Sequence, residues 1–186
     1  RVFERLLDTR GRQLRDALQV LSADFGFKDA VASNDAATIR SVLANHGARI
    51  NASEVLLLGL DGRVLASTVD SFTADSPFRY SQQLLQARQL GQSYLIVALN
   101  GEAHLLVEAP VLAPLPIARV VMGFHMDQAF AAELRELTNL EVSFVASDQG
   151  HQGPLVSTLS AEQGADMQAL DSSLIAAHLA DLNFAG

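Results

Sequence analysis

The chain of 186 residues carries thirteen basic against twenty-one acidic side chains, a net charge of −8, which excludes nucleic acid and anionic lipid headgroups as partners, since both need a basic surface. Hydrophobic residues make up 49%, enough to bury the core of one domain or slightly more and too many for a disordered chain. There is no cysteine, so disulfides, thiol catalysis and thiolate metal sites fall away together.

The chain opens on Arg1-Val2-Phe3-Glu4-Arg5, already helical in pattern and without a signal peptide. It reads as a piece of something longer, and no apolar run reaches the roughly 20 residues that span a bilayer. Residues 1–25 are predicted to form one long helix with Phe3, Leu7, Leu14, Leu18, Leu21 and Phe25 on a narrow stripe. Arg10 divides the gap between Leu7 and Leu14, giving an approximate eleven-residue repeat on a nearly straight helix. Such a seam either packs on its own domain or pairs with a second copy, and Gly11, Arg10, Arg12 and Arg15 are expected to loosen its middle.

Phe25-Gly26-Phe27 is read as a break, followed by a short helix over 28–33. Ser33 or Asn34 is expected to cap a further helix over 35–46, with Ala36, Ile39, Val42 and Leu43 on its apolar face and Gly47 as a left-handed stop. Five strands follow, at residues 54–60, 63–68, 93–99, 102–112 and 117–126. Asp61-Gly62 joins the first pair and Asn100-Gly101 the second, and both dipeptides are strong signals of a tight type I′ hairpin. Residues 69–77 read as a loop, either a ligand lid or simply mobile, and residues 78–90 as an inserted helix buried through Leu84, Leu85 and Leu90. Pro110, Pro114 and Pro116 mark where the fourth strand leaves the ladder.

Beyond the sheet, Asp127 is a cap for an amphipathic helix with Phe130, Ala131, Leu134 and Leu137, stopped by Asn139. A strand over 141–146, a loop over 147–154 and a short strand over 155–158 come next. Ser160-Ala161-Glu162-Gln163 reads as a capping box before a helical tail reaching Leu182.

Several segments resemble the periplasmic sensor region of bacterial membrane proteins that end in GGDEF and EAL domains. They are residues 24–35 (Asp24-Phe25-Gly26-Phe27 onward), 45–50 (Asn45-His46-Gly47), 60–68 (Leu60-Asp61-Gly62-Arg63), 122–127 (Met122-Gly123-Phe124-His125) and 137–144 (Leu137-Thr138-Asn139-Leu140). The resemblance covers most of residues 24–146. It implies an α+β, PAS/Cache-like five-stranded antiparallel sheet with a long N-terminal helix and flanking helices, sitting between two transmembrane helices in the periplasm of an inner-membrane protein. It also implies control of cyclic-di-GMP turnover by a cytoplasmic cyclase or phosphodiesterase. The expected division is a signalling helix over 1–26, a sensor module over 27–126, and a connecting helix with a reduced second module over 127–186. That last piece departs from the family pattern, because residues 147–186 supply too few strands for a complete second sheet.

A hydrolase needs a nucleophile, a base and an orienting acid. The chain has no G-x-S-x-G elbow, no P-loop, no G-x-G-x-x-G after a strand and no HExxH among His46, His104, His125, His151 and His178. No catalytic residue, cofactor or metal ligand is therefore assigned. In Cache-like domains the ligand lies between the sheet and the helix and loop over it, which points to Arg79, Tyr80, Tyr94, His104, Glu108 and Arg119 as ligand-binding candidates. Arginine and tyrosine would hold a carboxylate- or amine-bearing ligand, with Glu108 as the partner of a cation. The expected partners are that small molecule or a periplasmic protein, a second copy through the N-terminal helix, no nucleic acid, and the membrane only through flanking helices. The competing reading is a ligand-free structural or dimerisation module of a transmembrane receptor of the histidine-kinase or chemoreceptor type.

Overall fold

Leu7, Gly11, Leu14, Leu18 and Ser22 are buried along one side of α1 (Val2–Ser22), a spacing that keeps one stripe of a helix in contact throughout. The residue that fills the gap in the stripe is Gly11, not Arg10. The computed structural model describes residues 2–144, 146–148, 151–152 and 156–160. Two compact units are present, one of residues 1–97 and 104–125 and the other of residues 98–103 with the chain from Met126 onward.

In the first unit, α2 (Phe25–Ser33) begins where the sequence suggests a break, because the Asp24 side chain accepts a hydrogen bond from the Phe27 amide and caps it. Asn34, at φ 56°, closes that helix, and Asp35 caps α3 (Ala36–Arg49) through the Thr38 amide at 2.8 Å. Gly47 does not stop α3. It lies inside the helix, where a β-carbon would come within 2.5 Å of Val55 Cγ2, so its task is close approach of helix to strand. Ile39, Leu43 and His46 are buried on α3, and Ala36 is exposed.

The sheet is antiparallel, in the order β2-β1-β5-β4-β3, with β1 Glu54–Leu58, β2 Val64–Ser67, β3 Leu95–Leu99, β4 Glu102–Leu112 and β5 Pro116–His125. All five residues of β1 are buried, as a strand covered on both faces requires. Gly62 alone has positive φ in the first turn, +86°, and a register shift follows at Leu57/Leu58. This is a bulged turn, not the expected type I′ hairpin, which needs positive φ at both central residues.

Residues 69–77 form no free lid. Val64 N bonds Ser76 O at 2.9 Å, Asp75 N bonds Val64 O at 2.8 Å, and Arg63 reaches Asp75, so the loop runs back along β2 and covers its open edge. The inserted helix α4 (Ser81–Gln89) buries Ser81, Leu84 and Ala87, and Leu90 lies outside it, three-quarters exposed.

Register and the two-residue period of a strand sort the side chains into faces. Glu54, Leu56 and Leu58 of β1, Arg119, Val121, Gly123 and His125 of β5, and His104, Leu106, Glu108 and Pro110 of β4 share one face. The opposite face, with Val55, Leu57, Val120, Met122, Leu105 and Val107, is apolar and buried, and α3 packs on its β1 and β2 side. The polar face is the one that carries the chemistry.

In the second unit, Asn100 (φ 52°) and Gly101 (φ 82°) form the type I′ pair the sequence predicts. Asp127 caps α5 (Gln128–Thr138) through the Phe130 amide at 2.9 Å, and Asn139, at φ 55°, closes it, as expected. A two-stranded ribbon pairs β6 (Ser143–Phe144) with β9 (Val156–Ser157), the hydroxyls of Ser143 and Ser157 lying 2.6 Å apart. Where a loop is expected after residue 146, β7 (Ser147–Asp148) pairs with β8 (His151–Gln152). The capping box from Ser160 and the helical tail lie outside the described residues, Ser160 itself excepted.

Candidate functional site

Arg119 projects from β5 onto the polar face beside Glu108 of β4, Nη1 to Oε2 3.1 Å, and donates through Nη2 to Ser81 Oγ at 2.7 Å. Both members of the ion pair are buried. Gly62, at the turn between β1 and β2, makes room for this contact, because a β-carbon there would overlap Ser81 Oγ. The first turn of α4 is thereby tied to the middle of the sheet.

Two adjoining clefts open above that pair. One is lined by Arg15 and Gln19 of α1, Leu84, Ala87 and Arg88 of α4, Ser93, Tyr94, and Leu106, Glu108 and Pro110 of β4. The other, of about 430 Å³, is lined by Leu60, Leu85, Leu112, Pro116 and Arg119, and shares Gln19, Arg88 and Pro110 with the first. Arg88 Nη1 lies 3.9 Å from Glu108 Oε1. Among the described residues, Glu108 Oε1, Arg119 Nε and Arg15 Nε are buried without a hydrogen bond. A buried polar atom left in that state costs about 1–3 kcal/mol, which a bound polar group would recover.

The charges are unbalanced. Three guanidinium groups, Arg15, Arg88 and Arg119, border the clefts against the single carboxylate of Glu108, within a chain whose net charge is −8. An anion is the species that this excess attracts, and the planar guanidinium fork suits a carboxylate in two-point contact. Burial first, then the charges of Asp8 and Glu4, push the Tyr94 phenol up from its ordinary value of 10.0, so the hydroxyl stays protonated and able to donate.

Tyr94 also ties the first cleft to α1. Its ring lies against Gly11, where a β-carbon would come within 2.7 Å of the ring, and the neighbouring Ser93 hydroxyl donates to Asp8 Oδ1 at 2.9 Å. The glycine expected to loosen α1 is thus a point of close approach between α1 and Tyr94.

Of the six residues singled out from the sequence, Glu108, Arg119 and Tyr94 come together at the clefts. His104 shares their sheet face but sits toward its other end, its Nε2 2.9 Å from Glu54 Oε1. Arg79 and Tyr80 line neither cleft: Arg79 is exposed with its guanidinium 4.8 Å above the Tyr80 ring, and that ring meets Phe78 at 5.8 Å. Sequence reasoning missed Arg15, Arg88, Ser81 and Gln19. Ser81, Leu84 and Arg88 follow helical spacing, a signal that a leucine-centred reading of α4 overlooks.

A family model described as the double sensory domain of two-component sensor kinases, dCache_3, matches residues 1–183. Among curated proteins none matches at a significant level. Similar solved structures include two sensor domains. The periplasmic domain of Vibrio cholerae LuxQ has 20% identity and a TM-score of 0.56, over 85% of this chain and 76% of that one. The sensor domain of the V. cholerae histidine kinase DctB has 17% identity and a TM-score of 0.52, over 90% and 76%. At these identities the likeness is one of fold.

Proposed function

The chain belongs to the double sensory domain family of two-component sensor kinases, and on that premise we propose that it is the periplasmic ligand-sensing domain of a membrane-bound histidine kinase, responding to a small carboxylate-bearing molecule held above the polar sheet face. The observation that carries the reading is the excess of guanidinium over carboxylate at clefts that also hold unbonded buried polar atoms. The family is sensory, not catalytic. Its description names sensor kinases, which favours the receptor-kinase output over the cyclic-di-GMP output implied by the resemblance to GGDEF and EAL proteins.

A ligand in the first cleft touches α1 through Arg15 and Gln19 and α4 through Arg88, so occupancy biases where α1 lies against Tyr94. The signal is then a population shift between two helix positions, read out by a second copy paired along α1. A thermal-shift screen of amino acids, mono- and dicarboxylates and polyamines tests this, since a ligand that binds only the native state raises Tm. The expected result is a rise with a carboxylate that disappears in Arg88→Gln, a position half exposed on α4. A flat response to every anion, or a rise unchanged in both Arg88→Gln and Arg15→Gln, leaves the ligand-free dimerisation module as the better reading.

A further inference from the structure

The second cleft is charged at one end and apolar at the other. Arg88 and Arg119 meet at Glu108, and the rest of the wall is mostly Leu60, Leu85, Leu112 and two prolines. Strand geometry sets these groups in a row. Glu108, Pro110 and Leu112 follow one another on one face of β4 at steps of two residues, roughly 6.6 Å each. Arg119 is paired with Pro110, and Leu112 with Pro116 at the turn into β5. The charged end thus lies about 13 Å from the leucine end.

Leu60 and Leu112 are 59% and 41% exposed. A single exposed leucine is ordinary. Two that line the same cleft as Leu85 are apolar surface that an occupant would take out of water. At the charged end, Arg119 uses Nη1 on Glu108 and Nη2 on Ser81 and leaves Nε unbonded. Arg88 is more than half exposed, and its 3.9 Å approach to Glu108 is too long for a hydrogen bond. Its guanidinium is the one available to turn toward an incoming anion. The volume of about 430 Å³ has room for about fourteen non-hydrogen atoms at roughly 30 Å³ each, the share of one molecule in liquid water.

We propose that the anion taken at this site is a medium-chain monocarboxylate, with its head group at Arg88 and Arg119 and an acyl tail of about eight to ten carbons along Pro110, Leu85, Leu112 and Leu60. The inference rests on the reading of the clefts as an anion site and names the class of molecule. Guanidinium supplies the charge complement for the head group. The tail gains from leaving water, whereas the second carboxylate of a dicarboxylate would be set against leucine and proline with no partner to offset its lost hydration.

The test is calorimetry on the whole chain with butyrate, hexanoate, octanoate and succinate, and with 1-octanol as the uncharged analogue. Affinity should rise with tail length by about fourfold for each methylene buried (about 0.8 kcal/mol). Without the charged head group, 1-octanol should bind about tenfold or more weakly than octanoate. Leu60→Ser combined with Leu112→Ser, both at exposed positions, should flatten the dependence on tail length, and Arg88→Gln should weaken every acid. The tail-length series on the unmutated chain is the second reading and needs neither variant to fold. Equal affinity for butyrate, succinate and octanoate overturns this inference and leaves the anion site standing. A gain with tail length that survives the paired leucine substitutions, or 1-octanol binding as tightly as octanoate, overturns it as well. Binding of no acid at all overturns both.

Discussion

Arg119 and Glu108 show why single side chains in this domain matter unequally. Removing one partner of a buried ion pair leaves the other charged and desolvated, a loss of about 3–5 kcal/mol. Arg119→Met should therefore lower the urea-unfolding free energy by that amount, and adding Glu108→Leu to it should recover part of the loss. His46 gives the pH-dependent counterpart. Its ring is buried edge-on against Phe27 at 5.1 Å, with Nδ1 unbonded among the described residues. Burial first, then Arg49, push its pKa below 6.5, against a smaller opposing pull from Asp24. Between the folded value and 6.5 the unfolded chain binds a proton that the folded chain does not, so this group's contribution is full above 6.5 and shrinks as the pH falls through that window. Chemical denaturation at pH 7.5 and at 5.5 should show the domain weaker at the lower pH, and His46→Leu should reduce the difference. An unchanged difference would remove His46 as its source.

Among the elements, α1 packs closely at Gly11. A side chain at Gly11 must displace the Tyr94 ring, and overpacking of this kind costs about 1–3 kcal/mol. Gly11→Val should lower Tm, and Tyr94→Ala placed in the same chain should restore part of it, a coupling that a double-mutant cycle measures directly. The second unit offers a cleaner case. Asp127 caps α5 through the Phe130 amide, so Asp127→Ala should cost about 1 kcal/mol without touching either cleft. The sequence makes α5 plain, since an acidic cap, an apolar stripe and a terminal asparagine all agree. It misleads at Gly47 and at Asp61-Gly62, because glycine there serves close packing and a bulge, which local sequence does not distinguish from a helix stop and a type I′ turn.

For the molecule as a whole, the sensory reading predicts that the anion-bound and anion-free chains differ in stability by linkage alone. A ligand at a hundred times its Kd adds about 2.7 kcal/mol, which for a chain of this length raises Tm by several degrees. Equilibrium sedimentation with and without that ligand should show whether pairing along α1 changes with occupancy.

Periodicity, caps and turn dipeptides in the sequence determined most of the elements, the antiparallel five-stranded sheet and the absence of a visible catalytic motif, because these depend on neighbours within a few residues. Glu108 and Arg119 are named by the resemblance to Cache-like domains, with strand period placing Glu108 on one face with His104 and Leu106. What only the tertiary structure decided is which charges meet. The approach of Arg15, Arg88 and Arg119 to one carboxylate depends on how α1 and α4 lie over the sheet. The reach of Glu54 to His104 depends on the register of three strands and on a side chain missing at Gly123. Local sequence encodes neither, since both are set by contacts between residues far apart in the chain.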